Sequence, residues 1–352
     1  MNRAGRASQA DDPALITRMR AGDAGAFTEL TEPYRRQLHV HCYRMLGSFA
    51  DADDLVQETL LRAWRGRAGF RGGALVRTWL YRIATNACLT ALQRRQRRIL
   101  PSDVAAPTDA DELDLRAPPV RHPELPWLEP YPDELLEAAA TDGDPATAVV
   151  ARETIELAYL AAAQHLPPRQ RAILILRDAL GWSENDTAEL LESSLASVKS
   201  ALTRARHTMR SGLPSGREDW HGSPRSEDER VALDRFMRAY ERADPGELAH
   251  VLREEARQTM PPALLWFEGR EAIIAHQAQL LGGSFGRFHM VAVMANRQPA
   301  AAAYLQRPGD ALYRLSGLNV LRVEAGRIAE ITSFGPELCA PFGLPATLPV
   351  EG

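Results

Sequence analysis

Lysine is nearly absent from this chain: Lys199 is the single one in 352 residues, and almost every other cation is arginine. The bias fits a GC-rich genome and carries no function. Cysteine is scarce too. Cys42, Cys88 and Cys339 lie far apart without CxxC spacing, which excludes a disulfide framework or a zinc pattern and leaves three small buried side chains. No cofactor or metal ion is expected. Apolar runs long enough to span a bilayer are missing, and the opening MNRAGRASQADDP has no apolar leader, which points to the cytoplasm and away from a membrane partner.

The net charge of −4 does not suggest nucleic acid, but its distribution does. Arg62 to Arg98 holds many arginines and no Asp or Glu. From Ile99 to Asp144 acidic residues dominate, opposed only by Arg116 and Arg121. That second stretch is rich in Pro, Asp and Glu and cannot bury much apolar area, so it reads as a largely irregular linker. The exception is LPWLEPYPDELL, Leu125 to Leu136. Its apolar cluster is either a docking segment or a turn and short helix packed on a neighbouring domain. The length suggests two or three domains.

Ahead of the linker lies a helical block. Asp12-Pro13 opens a helix to about Ala21. A longer one is expected from Ala24 to Leu46, with Phe27, Leu30, Tyr34, Leu38, Cys42 and Met45 at steps of three and four, ended by Gly47. The next helix, Asp51 to Gly66, turns Leu55, Thr59 and Ala63 inward and leaves Asp54, Gln57, Glu58 and Leu61 outside. These four form either a solvated face or, preferably, a docking surface. A glycine-broken loop with Phe70 between arginines precedes a helix from about Val76 to Arg98. There Trp79, Arg82 and Asn86 lie outward, and aromatics and Asn among arginines suit melted DNA, where bases stack on rings and arginines hold the backbone. Core packing is the other reading of Phe70 and Trp79.

Past the linker, Leu166-Pro167-Pro168 marks a helix break with a Pro at a helix start, Arg169 to Leu180 follows as an amphipathic helix, and Ser183 to Met209 reads as two helices joined by a tight turn. Ser183 with Asp186 makes a capping-box-like start and Ser194 caps the second helix. Val198, Ala201, Leu202 and Ala205 form its buried stripe, while Lys199, Ser200, Thr203, Arg204 and Arg206 face outward. This is either a helix-turn-helix that enters a major groove or an ordinary helical hairpin with a basic face.

After Gly212 a polar stretch leads into helices around Val231–Tyr240 and Leu248–Leu252. Strands are expected at Thr259–Met260, Leu264–Phe267, Arg287–Ala295, Ala300–Gln306, Leu312–Glu324 and Arg327–Phe334, with Ala325-Gly326 as a hairpin turn. Helices followed by a curved antiparallel sheet predict an α+β cone. Trp266, Phe267, His276, His289, Tyr304, Tyr313 and Asn319 are candidates to line a pocket, or else core packing. No HxxxD-like pair accompanies them.

FxxLxxxYxxxLxxxCYRMLG, DADDLVQETLLRAW and RTWLYRIATNACL resemble the promoter-opening region of sigma-70 initiation factors of the extracytoplasmic-function group. LPPRQRAILILRDALGWSENDTAELLESSLASVKSALTRAR resembles that group's second DNA-binding region. FMRAYERADPGELAHVLREEARQTMPP, WFEGREAI and LRVEAGRIAEITSF resemble the SnoaL-like branch of the nuclear-transport-factor-2-like fold. The whole chain looks like sigma factors that carry this extension. The resemblance implies a multidomain protein: two all-α domains, at 12–98 and 146–212, joined by the acidic linker 99–145, then a linker 213–226, an α+β cone at 227–340 and a tail 341–352. It implies that Asp54, Gln57, Glu58 and Leu61 dock on the β′ clamp of core RNA polymerase, with the β flap a second contact. Phe70, Arg71, Trp79, Arg82 and Asn86 would capture and melt the −10 element. Ser194, Ser197, Lys199, Ser200, Arg204 and Arg206 would read the −35 element. The linker would thread the RNA exit path, and no covalent chemistry is involved. The partners expected are core polymerase, promoter DNA and a small molecule in the cone, which would modulate activity. The other reading is a DNA-binding regulator fused to a small-molecule-binding or catalytic cone. The chain departs from the pattern at Asp186-Thr187, usually acidic then aliphatic, and at Glu192, usually Gly or Asp.

Overall fold

The computed structural model describes residues 12–70, 75–94, 96–110, 113, 120–139, 155–212, 227–282 and 285–350. The chain divides into two compact units. One comprises Met1–Arg97 and Leu135–His221, the other Arg98–Glu134 and Gly222–Gly352.

The first unit is helical. Helix α1 (Pro13–Arg20) starts behind Asp12, whose carboxylate accepts the Ala14 amide at 2.9 Å, and Asp23 caps α2 (Ala24–Thr31) by accepting the Ala26 amide at 3.1 Å. The expected single helix to Leu46 is broken. A 3-10 turn at Glu32–Tyr34 intervenes before α3 (Arg35–Leu46), because Pro33 has no N–H to give and its ring crowds the preceding turn. Gly47, at φ +70°, ends α3 in the left-handed conformation. Ser48 then caps α4 (Phe49–Gly66), its Oγ accepting the Asp51 amide at 3.1 Å.

Helix α4 buries Ala52, Val56, Thr59 and Ala63 along one stripe, and α5 (Val76–Arg94) buries Leu80, Ala84, Ala87 and Cys88. Helices α3, α4 and α5 pack on one another. His41 Nε2 and Thr85 Oγ1 meet at 2.9 Å between α3 and α5, and burial pushes the imidazole down to about 3, so it is neutral.

A short helix α6 (Asp133–Ala139) follows the linker. Then come α7 (Leu157–Gln164), α8 (Pro168–Leu174), a π-type run at Ile175–Ala179 in place of the expected last α-turn, α9 (Glu184–Leu190) and α10 (Leu195–Gly212). Arg171 on α8 is 2 % exposed. It donates to the Met45 carbonyl at the end of α3 at 2.6 Å, to Gln164 Oε1 at 2.8 Å and to the Gln164 carbonyl at 2.9 Å. Burial lowers its pKa to about 10, so it keeps its charge at neutral pH, and the carbonyl end of α3 is a favourable place for that cation. Tyr81 and Trp182 add an aromatic contact with ring centroids 5.5 Å apart. The two helical halves thus share one core.

The second unit is the cone. Helices α11 (Glu227–Glu241) and α12 (Pro245–Val251) lead into β1 (Leu252–Thr259), β2 (Trp266–Glu268), α13 (Arg270–Leu281), β3 (Arg287–Ala295), β4 (Gln298–Gln306), β5 (Leu312–Glu324), β6 (Arg327–Phe334) and β7 (Thr347–Pro349). The strand order is β2-β1-β6-β5-β4-β3, with β7 paired to β5. The sheet is mixed rather than antiparallel throughout, since β1 and β6 run parallel. Phe236, Tyr240, Leu248, Leu252, Phe267, Ile273 and Phe288 build its core. Asn296 and Arg297, at φ +55° and +62°, form a two-residue turn between β3 and β4 whose twist matches the strands. Gly317 on β5 sits where a Cβ would meet the Phe334 carbonyl oxygen at 2.5 Å, so the strands close only over glycine.

Linker residues Arg98–Glu134 belong to this second unit. Where they are described they have little regular secondary structure but are held by hydrogen bonds. Trp266 Nε1 donates to the Ala105 carbonyl at 2.9 Å and the Thr108 amide to the Trp266 carbonyl at 2.7 Å. The His122 amide donates to the Pro262 carbonyl at 2.9 Å, and Tyr131 and Asn296 exchange hydrogen bonds at 2.8 and 2.9 Å. Trp127, Leu128 and Tyr131 are 5 %, 1 % and 1 % exposed. Burying side chains of this size contributes about 2 kcal/mol each. Of the two readings of LPWLEPYPDELL, the structure has the packed one.

Candidate nucleic-acid and partner interfaces

On α4, Asp54, Gln57 and Leu61 are exposed and Glu58 is half-buried, on the side away from the Ala52–Ala63 stripe. Leu61 is 49 % exposed, an apolar side chain standing among polar ones. Gln57 donates to Asp53 at 2.9 Å, and Arg62 pairs with Glu58 at 2.6 Å. Arg62 is a member of this face that the sequence pattern did not single out.

Phe70 differs from the expectation of a free stacking ring. It is 5 % exposed and closed against Trp79, with centroids 4.8 Å apart, while Trp79 itself stays half-buried. Arg71 lies outside the described residues. Arg82 and Asn86 are exposed one turn apart on α5, and the Arg82 guanidinium is ion-paired with Glu192. Glu192 occupies the turn between α9 and α10 at φ +49°. The left-handed conformation there costs an ordinary side chain roughly 1 kcal/mol, and Gly would adopt it freely.

The start of α9 is as read: Ser183 Oγ accepts the Asp186 amide at 3.0 Å and donates to its carboxylate at 2.6 Å. On α10, Ser194, Ser197, Lys199, Ser200, Arg204 and Arg206 are all exposed, and Val198, Ala201, Leu202 and Ala205 are buried beneath them. Ser194 is also structural, its Oγ accepting the Ser197 amide at 3.2 Å. Two of the cations have acidic neighbours that the sequence did not reveal. Lys199 lies 3.3 Å from Glu184, and Arg206 grips both oxygens of Asp178 at 2.7 and 3.1 Å. The hydrogen bond to Asp178 raises the Arg206 pKa further above its ordinary value. Among the described residues no cluster of His, Cys, Asp and Glu could hold a metal ion, and no helix is long and apolar enough to cross a membrane.

The cone encloses a cavity of about 200 Å3, and most of the expected lining is elsewhere. Trp266 is turned to the linker through its indole N–H. His276 stacks on Phe267 with centroids 4.5 Å apart in the core, and burial pushes it down to about 4. Tyr304 is buried with its hydroxyl on the Pro345 carbonyl at 2.9 Å. His289 and Tyr313 line a second, wider groove, where His289 Nδ1 lies 3.3 Å from Glu241. Asn319 alone of the expected set faces the cavity, together with Gln258, Gln277 and Ser333, which sequence reasoning missed.

Three families match this layout in order: Sigma-70 region 2 over residues 30–98, Sigma-70 region 4 over 156–209 and a SnoaL-like domain over 233–331. The ECF RNA polymerase sigma factor SigG of Mycobacterium tuberculosis is 43% identical over 327 residues, covering 92% of this chain and 85% of that protein. The chain belongs to the ECF RNA polymerase sigma factors. Another member of the group, the RNA polymerase sigma-H factor of Pseudomonas aeruginosa, is 30% identical over 208 residues, which cover 58% of this chain and 95% of that one. The crystal structure of the Mycobacterium tuberculosis ECF sigma factor SigJ has the same fold, with a TM-score of 0.55 and 21% identity over 88% of this chain and 97% of that one. As a sigma factor, the chain places its region 2 helices α3–α5 and its region 4 helices α7–α10 in one unit, and its SnoaL-like domain in the other.

Proposed function

We propose that this sigma factor seats on core RNA polymerase through Asp54, Gln57, Glu58 and Leu61 of α4, the face that meets the β′ clamp. The −35 element is read by the exposed side of α10, from Ser194 to Arg206, with the β flap as the second polymerase contact. Trp79, Arg82 and Asn86, with Phe70 and Arg71 of the preceding loop, engage the −10 element. This assignment requires Arg82 to leave Glu192, and Phe70 and Trp79 to part. The first costs little, since an exposed ion pair contributes only about 0–1 kcal/mol; the second gives up an aromatic contact of about 0.5–1.5 kcal/mol and the burial of Phe70, which stacking on an unpaired base offsets. The domain division of the sequence reading, 12–98, 146–212 and 227–340, follows the same roles. No covalent step is needed.

The observation that carries the proposal is Leu61, a half-exposed leucine ringed by Asp54, Gln57 and Glu58 on an otherwise well-packed helix. Such a side chain is an anchor for a partner's apolar groove. The cone modulates initiation, because the chain between the two helical halves, Arg98–Glu134, is fastened to it.

The test is transcription in vitro from core polymerase and a pool of genomic promoter fragments, with the full-length chain. Transcripts from a shared pair of upstream elements are expected, lost with Leu61→Glu and weakened with Arg204→Ala. Failure to bind core polymerase would sink the proposal. Trp266→Ala, which removes the indole bond that holds the linker at Ala105 to the cone, is expected to change the initiation rate. An unchanged rate removes the modulatory role while leaving the sigma role intact.

A further inference from the structure

The chain that leads from α4 to Phe70 is held by side chains to which no role has yet fallen. A 3-10 turn at Arg67–Gly69 follows the end of α4. Arg67 closes the helix twice. Its amide donates to the Trp64 carbonyl, and so does its guanidinium, through Nη1 at 2.8 Å. The guanidinium also lies over the Trp64 indole, 4.0 Å from the ring centroid. Trp is the best ring for such a cation, and the carbonyl end of a helix favours positive charge. Trp64 is fixed in turn by Phe27 of α2, edge-on with centroids 5.2 Å apart. Behind the arginine lies the corner between α1 and α2. Gly22 turns there at φ +100°, and a Cβ on it would stand 3.3 Å from Arg67 Nη2. Helix α1 packs on the 3-10 turn as well as on α2.

Arg67 is half-buried, its Nε is enclosed without a hydrogen-bond partner, and among the described residues no carboxylate pairs with it. A charge in such a place is costly, and packing alone would be served by an aliphatic side chain. What the guanidinium adds is a rigid plane. With the indole face under it, the Trp64 carbonyl at Nη1 and the Gly22 corner at Nη2, that plane has one position. The turn it holds delivers Phe70. The Phe70 amide donates to the Arg67 carbonyl at 3.2 Å, and the Phe70 ring closes on Trp79. Only the 3-10 turn separates Arg67 from Phe70, so where the ring can reach is set by where this root is fixed.

We infer that Arg67 and Trp64 are positioning residues for the capture of an unpaired −10 base. Their stack fixes the root of the turn, so that Phe70, on parting from Trp79, presents its ring in one place. The inference rests on the −10 roles proposed above for Phe70 and Trp79. A ring already in place binds a base more tightly than one that must first be ordered, because that entropy is not lost on binding. Neither Arg67 nor Trp64 need touch DNA. Gly22 and Phe27 extend the same support into α1 and α2, so residues ahead of the stretch that matches Sigma-70 region 2, 30–98, serve its DNA-reading face.

The test uses the full-length protein with core polymerase and a promoter recovered from the genomic pool. Each −10 base of the displaced strand is replaced in turn by an abasic site, and binding is compared with the intact probe. With the natural chain one position is expected to lose about tenfold, the value of one stacked base. Arg67→Ala is expected to shrink that loss to about twofold. Its binding to core polymerase, and that of the resulting complex to a duplex with only the −35 element, should stay within about twofold of the natural chain. Arg67→Lys keeps the charge without the flat fork and is expected to give an intermediate loss; it carries the test if Arg67→Ala does not fold. Trp64→Phe keeps a ring face under the cation and is expected to retain most of the sensitivity. An arginine that merely ends a helix would weaken every probe alike and leave the ratio unchanged. That result, loss of core binding in both Arg67 variants, or failure of both to fold would each overturn the inference. A natural chain with no sensitive position would instead overturn the −10 roles of Phe70 and Trp79, and this inference with them, so the two failures are told apart.

Discussion

In the helical unit the polar residues with work to do stand outside a closed core: Asp54, Gln57 and Glu58 on α4, and Lys199, Ser200 and Arg204 on α10. In the cone the distinctive polar residues, Gln258, Gln277, Asn319 and Ser333, turn inward and line a space. The first arrangement suits large partners that meet a surface. The second suits a small one that is surrounded. The difference also shows in how each unit uses a buried polar group. Arg171 joins two helical halves through both terminal nitrogens, which donate to Met45 and Gln164, whereas Gln277 bonds within the cone, to Gln258.

The comparison breaks most sharply at Arg171. Arg171→Ala leaves Gln164 and the Met45 carbonyl without their donor, and a loss of about 3 kcal/mol is expected in the helical unit alone. Hydrogen exchange should rise in α3 and α8 and stay unchanged in the cone. On the other side, Gly317→Ala forces the Cβ against the Phe334 oxygen and is expected to cost about 2 kcal/mol in the cone only. Chemical denaturation followed by exchange of β5 and β6 amides reads it.

Acid treats the two units alike. His41 and His276 are neutral in the fold, held at about 3 and about 4, while an unfolded imidazole titrates near its ordinary 6.5. Their folded values are depressed, so stability is full above pH 6.5 and falls as pH drops toward the folded values. At pH 5 each is expected to contribute a loss of about 2 kcal/mol. Denaturation midpoints between pH 7 and 5 measure the sum, and His276→Phe should remove the cone's share.

Surface changes should do less to the fold. Leu61→Ala is expected to leave stability within about 0.5 kcal/mol and to weaken core polymerase binding about tenfold. The smallest effect belongs to Glu192→Gly, which relieves the left-handed backbone and loses the exposed pair with Arg82. A net gain of about 0.5 kcal/mol is expected by thermal denaturation.

Which features were legible follows from how local they are. Caps at Ser183 and Ser194, the α4 stripe and the exposed side of α10 depend on neighbours within one turn, so spacing reveals them. Pro33 broke a periodic helix that its apolar pattern alone would continue. Of strand β1, LREEARQT, the sequence pattern shows only the last residue, Thr259, because its charges face water while only Leu252, Ala256, Gln258 and Thr259 are buried. Helix α13 escaped because REAIIAHQAQLL carries apolar and polar residues on every side, having linker, strands and solvent around it. The cavity was illegible in principle: Gln258, Gln277 and Ser333 come from β1, α13 and β6 and converge only when the sheet curls. The aromatic residues and histidines that seemed better suited to a pocket were spent on the core.

The path of the linker changes what a shorter chain would be. The chain leaves the helical unit at Arg97, contributes Arg98–Glu134 to the cone, returns at Leu135 and leaves again after His221. The cone is therefore stitched in at three points rather than hung from one end. Removing residues 227–350 would not subtract a module. It would take Asn296 from Tyr131 and Trp266 from the Ala105–Thr108 stretch, leave that part of the linker without the partners it folds on, and make any change in activity a report on stickiness as much as on regulation.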